Sequence, residues 1–231
     1  MQIPSPRERL QGVRDLPLFA GLPEGLLVLL NGMAVSVSIP AGTEVFREGD
    51  ENDQVYVVQK GLVKVIKVSE TGKEQILQVA RPGDVFPLGY VFHPGPLAVS
   101  ARAVEPSLAV RFGQAELLRL LQADPDFCLR FVRLLSRRLR EAQVQLRDMA
   151  LRGVHGRLAA LLLKLAQQTG EPGPEGVSVE MTLTHQDLAN LIGSSRETVT
   201  RVLAEFRKEG AVDLAGSRLV LLDQARLRDW P

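Results

Sequence analysis

Cysteine is nearly absent from this chain of 231 residues: Cys128 stands alone. One thiol excludes an internal disulfide framework and fits a reducing compartment. It also excludes an iron–sulfur cluster, which needs about four cysteines. Histidine is scarce as well, with three residues in all and only His93 in the strand-rich first half. A haem has one candidate axial donor there, and a lone loop histidine reads as a surface residue. A metal-dependent enzyme needs several His and carboxylate ligands converging, so neither a metal nor a catalytic role is expected; the chain reads as a non-enzyme without a cofactor. No apolar run approaches the ~18 residues of a membrane span, and no basic segment followed by an apolar one opens the chain as an export signal would. A cytoplasmic protein without membrane contact is expected. Excess charge is missing too: 28 Lys and Arg face 27 Asp and Glu, and residues 151–231 hold ten of each sign. Non-specific binding to nucleic acid needs clustered positive charge, so a histone-like coat is excluded, whereas a reader with its basic residues on one helix is not.

What is present is concentrated in residues 184–209, THQDLANLIGSSRETVTRVLAEFRKEG. Thr184 followed by Asp187 satisfies the S/T-x-x-D/E helix start. Leu188, Leu191 and Ile192 recur at helical spacing, and Gly193 ends the helix in a left-handed turn that costs glycine nothing. Ser194 or Ser195 caps a second helix, with Glu197 placed to return the bond to Ser194. Val199, Val202, Leu203 and Phe206 form that helix's apolar face. Ala189, four residues before Gly193, is small enough for two crossing helices to approach. The spacing predicts a helix-turn-helix, whose second helix enters the major groove. Its other face carries Arg196, Glu197, Thr200 and Arg201. Arginine donates two parallel hydrogen bonds to guanine O6 and N7, and glutamate accepts from cytosine N4; each good pair discriminates by roughly 1–3 kcal/mol.

Upstream, residues 34–112 alternate in short apolar runs: AVSVSIPAG, EVFREGD, QVYVVQKG, LVKVIKVSETG, EQILQVARPGD and LAVSARAVEPSLAVRF. Glycines at 42, 49, 61, 72 and 83 mark the corners. Many short antiparallel strands in this length predict a closed or sandwiched β-roll. Residues 8–31 hold two short helical patterns around Pro17 and the Gly21-Leu22-Pro23 turn. A helix is expected at Ala115–Leu121, and a long one from Asp124-Pro125 to about Met149. On the long helix Val132, Leu135, Leu139, Ala142, Leu146 and Met149 are spaced 3, 4, 3, 4, 3, an a/d seam suited to a parallel dimer. Phe127, Phe131 and Leu134 form a second stripe that packs on the helix's own domain. Cys128, beside the apolar seam, is expected to be a buried, inert thiol. Residues 151–153 form a hinge, a Leu- and Ala-rich helix runs from about Val154 to Gln168, TGEPGPEG is a loop by composition, and AVDLAGSRLVLLD is a hairpin around Ala215-Gly216. The fold expected is α+β, in three parts: residues 1–125, a β-roll with N-terminal helices; 126–150, a dimerisation helix; and 151–231, a winged helix-turn-helix.

The stretch LTHQDLANLIGSSRETVTRVLAEFRKEGAV resembles the recognition motif of the CRP/FNR family, the bacterial cyclic-AMP-receptor-type transcription regulators, and the PAG, REGD, KG and PGD turns are similar to that family's effector domain. The resemblance covers nearly the whole chain. It implies a homodimeric regulator, an activator that meets RNA polymerase, reading a TGTGA-like palindrome of double-stranded DNA through Arg196, Glu197 and Arg201. By the same resemblance His185, Gln186, Ser195 and Thr198 touch phosphates. The roll departs from the family's cyclic-AMP site: Pro87-Leu88 stands where a Gly-Glu pair serves phosphate and ribose, and Leu97-Ala98 stands near the position of an Arg-Ser pair. Pro87 removes an amide donor, Leu88 cannot accept from a ribose, and Arg102 comes several residues too late. Either a different small ligand or DNA binding without any effector is then expected. The alternative function is an allosteric sensor whose roll still binds a cyclic nucleotide or another small ligand.

Overall fold

The computed structural model describes residues 14, 16–93, 95–215 and 218–230. The chain divides into two compact units, Met1–Leu139 and Arg140–Pro231.

The first unit opens with α1 (Glu24–Met33), the second of the two expected N-terminal helical patterns; most of the first pattern lies outside the described residues. Ten strands follow: β1 (Val35–Ile39), β2 (Glu44–Phe46), β3 (Glu51–Asn52), β4 (Gln54–Lys60), β5 (Val63–Val68), β6 (Glu74–Ala80), β7 (Val85–Phe86), β8 (Gly95–Pro96), β9 (Ser100–Ala103) and β10 (Ser107–Gly113). They form two four-stranded antiparallel sheets, ordered β1-β10-β4-β7 and β2-β9-β5-β6, with β3 and β8 paired apart. This is the expected β-roll. In β10 the alternation holds from Val110 to Phe112, both buried, and is interrupted at Ala109, which is buried beside Val110 next to a shift of register.

Two helices close the unit: α2 (Gln114–Ala123) and the start of α3 (Pro125–Leu151). Phe127, Phe131 and Leu134 are buried in one cluster with Phe19, Phe112 and Leu117, so this stripe of α3 packs on its own domain. Phe127 meets Phe131 edge-on at 5.4 Å between ring centres. Each large side chain buried this way contributes ~1.5–3 kcal/mol of transfer free energy.

The second unit contains the end of α3, then α4 (Val154–Thr169), β11 (Glu171–Gly173), β12 (Gly176–Glu180), α5 (His185–Ile192), α6 (Arg196–Lys208), β13 (Val212–Ala215), β14 (Arg218–Leu221) and α7 (Gln224–Arg228). The four strands form one antiparallel sheet ordered β11-β12-β14-β13. The β13–β14 hairpin is the expected wing, although its tip, residues 216–217, lies outside the described residues. Helix α3 ends at Leu151 and α4 starts at Val154, which leaves a break at 152–153, one residue shorter than the hinge expected at 151–153.

Two expectations need correction. TGEPGPEG is not simply a loop, because Glu171–Gly173 pairs with β12. Gly176 serves close approach: a Cβ there (φ +149°) would lie 2.1 Å from the Leu221 carbonyl oxygen. Cys128 is partly exposed rather than buried. The burial on α3 belongs to the neighbouring Phe127–Phe131 stripe, and Cys128 lies one step of four before Val132, on the line of the seam.

Candidate nucleic-acid interface

Helix α5 starts on a complete capping box. The Asp187 amide donates to Thr184 Oγ1 and the Thr184 amide donates to Asp187 Oδ2, each at 3.1 Å. Two of the amides that a helix start leaves unpaired are thereby satisfied. Gly193 ends α5 in the left-handed region, with φ 66° and ψ 48°, and the amides of Gly193 and Ser194 both return to the Ala189 carbonyl. An L side chain at that φ costs about 1–2 kcal/mol, which is why glycine stands there. Ser195, not Ser194, caps α6: its Oγ accepts from the Thr198 amide at 3.2 Å. The third helical position is therefore Thr198 rather than Glu197, so the expected return bond from Glu197 to Ser194 gives way to one between Ser195 and Thr198.

The two helices cross on a buried seam in which Leu188, Ala189, Ile192, Val199, Val202, Leu203 and Phe206 are almost without solvent contact. Trp230 packs against Phe206 from behind, 4.4 Å between ring centres. That packing fixes which side of α6 faces out. Arg196, Glu197, Thr200 and Arg201 are all exposed on it, together with Ser195 at its start. Glu197 is held below the usual carboxylate range by its own backbone amide and then by Ser195. It is therefore an ionised acceptor, the form that can take a proton donor such as cytosine N4.

The remaining candidates are arranged around this face. His185 Nδ1 lies 2.9 Å from Thr200 Oγ1, and Thr200 donates its hydroxyl proton to the Arg196 carbonyl at 2.9 Å. With that single proton committed, His185 Nδ1 must be the donor in the pair. His185 and Thr200 therefore tie α5 to α6. Gln186 is exposed and donates to Asn190 Oδ1 at 2.8 Å, and Ser195 and Thr198 share a hydroxyl contact at 3.0 Å.

One participant escapes sequence reasoning. Glu205 Oε1 accepts from Arg201 at 2.7 Å, and its other oxygen lies 2.6 Å from His155 Nε2 on α4. The contact with His155, followed by that with Arg201, holds the Glu205 carboxyl below its usual range. The i,i+4 spacing of Arg201 and Glu205 was a visible signal; the contact with His155, fifty residues away, had none.

The dimer candidates lie along α3 in the single chain as follows. Val132 is 48% exposed, Leu139 61% and Leu146 69%. Ala142 is exposed too, whereas Leu135 and Met149 are half-buried, and Leu135 also touches the first unit's core.

Comparison with known proteins places this geometry. Residues 156–230 match the Crp-like helix-turn-helix domain, and residues 36–124 match the cyclic nucleotide-binding domain. The CRP-like cAMP-activated global transcriptional regulator of Mycobacterium tuberculosis is 33% identical over 210 residues, covering 91% of this chain and 94% of that protein. The chain belongs to the CRP/FNR family of transcription regulators. A second member of that family, the cyclic AMP receptor protein of Thermus thermophilus, is 32% identical over 218 residues, covering 94% of this chain and 97% of its own. The solved structure of a CooA variant from Carboxydothermus hydrogenoformans shares the fold, with TM-score 0.79 at 22% identity over 93% of this chain and 94% of its own. Like its relatives, this CRP/FNR protein is a DNA-binding transcription regulator and not an enzyme.

Its roll, however, does not fit a cyclic nucleotide in the family's manner. Pro87 and Leu88 are buried, Leu97 is 2% exposed, and the interior is filled by Phe46, Tyr56, Val58, Val65 and Phe86. Tyr56 and Phe86 stack at 5.3 Å. Burial pushes the Tyr56 phenol up. Arg102 is committed to Glu44 at 3.2 Å and Glu74 at 3.5 Å. A phosphate placed against Pro87, Leu88 and Leu97 would meet apolar side chains, which is costly in a dry interior. Among the described residues no three His, Cys, Asp or Glu cluster as metal ligands, His93 is exposed, and no helix is long and apolar enough to cross a membrane.

Proposed function

We infer that this regulator works as a homodimer on a TGTGA-like palindrome, with Arg196, Glu197 and Arg201 reading base edges, and that it does so without cyclic AMP. The observation that carries the reading is the exposed, ionised Arg196–Glu197–Thr200–Arg201 face of α6, held outward by its buried opposite side. Arg196 and Arg201 supply bidentate donors for guanine, and Glu197 an acceptor for cytosine. His185, Gln186, Ser195 and Thr198 surround that face and are assigned to phosphates; Thr200 contributes through its tie to His185. The parallel pairing of α3 through Val132, Leu135, Leu139, Ala142, Leu146 and Met149 brings two reading helices to half-sites about one DNA turn (~34 Å) apart. In functional terms the chain divides into an effector-type roll (1–125), a dimerisation helix (126–150) and the winged helix-turn-helix (151–231). The regulator acts in the cytoplasm as an activator that meets RNA polymerase.

Binding titrations at fixed salt on a TGTGA palindrome and a scrambled duplex test this. Arg196→Ala, Glu197→Ala and Arg201→Ala should each lose about 5–150-fold on the palindrome, the equivalent of one base pair's discrimination, and little on the scrambled duplex. Gln186→Ala should weaken both alike. Equal losses on both duplexes for Arg196→Ala would contradict the assignment. A second reading, that the roll still senses a cyclic nucleotide, draws on the likeness to the cAMP-activated regulator of Mycobacterium tuberculosis and the cyclic AMP receptor protein of Thermus thermophilus. Calorimetry with millimolar cyclic AMP and cyclic GMP separates the two: no heat is expected, and saturable heat would restore the sensor.

A further inference from the structure

The second unit contains a cavity of about 410 Å³ between the last turns of α3, one face of α4 and the end of α5. That volume lies within the ~300–1,000 Å³ of small-molecule sites. From α3 it is lined by Glu141, Gln145 and Asp148, with Arg152 from the break that follows, and of the dimer seam Met149 alone reaches the lining. Pairing of α3 with a second copy therefore leaves most of this wall in place. Val144, Met149, Leu161 and Ile192 make part of the lining apolar.

Its charge is unbalanced. Arg147 and Arg152 share one carboxylate, Asp148, at 2.8 and 3.2 Å. Arg157, Lys164 and Arg228 also line the cavity, and none of the three forms an ion pair among the described residues. Arg157 Nη1 donates to the Arg152 carbonyl at 3.0 Å, while its Nε is buried without a hydrogen-bond partner among the described residues. Five cations against Glu141 and Asp148, beside an apolar wall, describe a receptor for an anionic head on an apolar body.

We propose that this cavity binds a small organic anion, an apolar body bearing a carboxylate, sulfonate or phosphate, and that its occupancy tunes DNA binding. The location gives it leverage. Gln145 on α3 donates to the Leu191 carbonyl at the end of α5, and the 152–153 break borders the cavity. An anion joining Arg157 and Lys164 of α4 to the end of α3 would change how α3 holds the reading pair. The roll needs no ligand in this arrangement. The binding assignment stands on the cavity alone; its consequence for DNA rests on the regulator reading.

The test is calorimetry on the full dimeric protein with 1-anilinonaphthalene-8-sulfonate, an apolar body carrying one anion, against its uncharged counterpart N-phenyl-1-naphthylamine. One sulfonate per protomer is expected, bound at least about tenfold more tightly than the neutral compound. Lys164→Glu, on an exposed position, and Arg157→Gln should each remove about tenfold of that preference, with melting curves confirming that both variants fold. Equal affinity for the two compounds, or unchanged affinity in both variants, would overturn the assignment. So would loss of binding in Leu139→Ser, because a dye resting on the α3 seam would behave that way. Operator affinity measured with and without saturating sulfonate should differ; identical values would overturn the regulatory half. A protein that binds the sulfonate as expected but no operator would refute the regulator reading and leave the cavity assignment intact.

Discussion

Arg201 is the residue whose setting most changes the picture drawn from sequence. A face count makes it one of three equivalent readers, but in the folded chain it is steered by Glu205, which His155 anchors in turn. Glu205 is therefore a positioning residue. Glu205→Ala should blur base preference at the operator position that Arg201→Ala blurs and leave the Arg196 position sharp; operator selection on the two variants reads this directly. The same contact carries a pH signature. The Glu205 pKa is depressed, so what its charge adds to stability is complete above the ordinary carboxylate range and is lost as pH falls through the depressed value. The gap in thermal midpoint between the native protein and Glu205→Gln should be present at neutral pH and close on acidification below roughly pH 4. Arg196, Glu197 and Arg201 were legible because they sit on one face of a helix whose other face is apolar. Glu205 and His155 were not, since a tie across fifty residues leaves no periodic trace.

At the scale of elements, the strongest local devices lie in the helix-turn-helix. Thr184→Ala removes one arm of a complete capping box and should cost about 1 kcal/mol. Gly193→Ala forces an L residue to φ 66° and should cost about 1–2 kcal/mol. Urea unfolding midpoints measure both. These devices explain why α5 and α6 could be read almost to their ends: cap, period and stop all act within a few residues. The strands that escaped reading are two or three residues long. β3, β8 and β11 exist because a partner lies alongside, and their own sequences carry too few positions to alternate. Gly176 shows the ambiguity at its plainest, since a residue read as loop punctuation is required where β12 crowds the Leu221 carbonyl. For α3, the exposure of Val132, Leu139 and Leu146 gives the seam its consequence. Leu139→Glu should convert the dimer to monomers in sedimentation equilibrium and weaken palindrome binding, while the Phe127–Phe131 stripe keeps the first unit folded.

For the whole molecule, the two units carry different amounts of the family's chemistry. The helix-turn-helix unit presents Arg196, Glu197 and Arg201 on one exposed face, and the roll keeps the strands and turns but packs Phe46, Tyr56, Phe86 and Leu97 together in its interior. That substitution was readable at Pro87-Leu88 as missing donors; how completely the interior is filled required the packing of three separate strands and the segment after β8. The near-zero charge of the DNA-reading half, ten residues of each sign, demands that affinity come from placed contacts rather than from bulk attraction. Randomised-operator selection on the purified native protein, with no nucleotide added, tests this account most directly. Two inverted TGTGA-like half-sites with centres about 10–10.5 base pairs apart are predicted; a single unpaired half-site, or no enrichment without cyclic AMP, would contradict it.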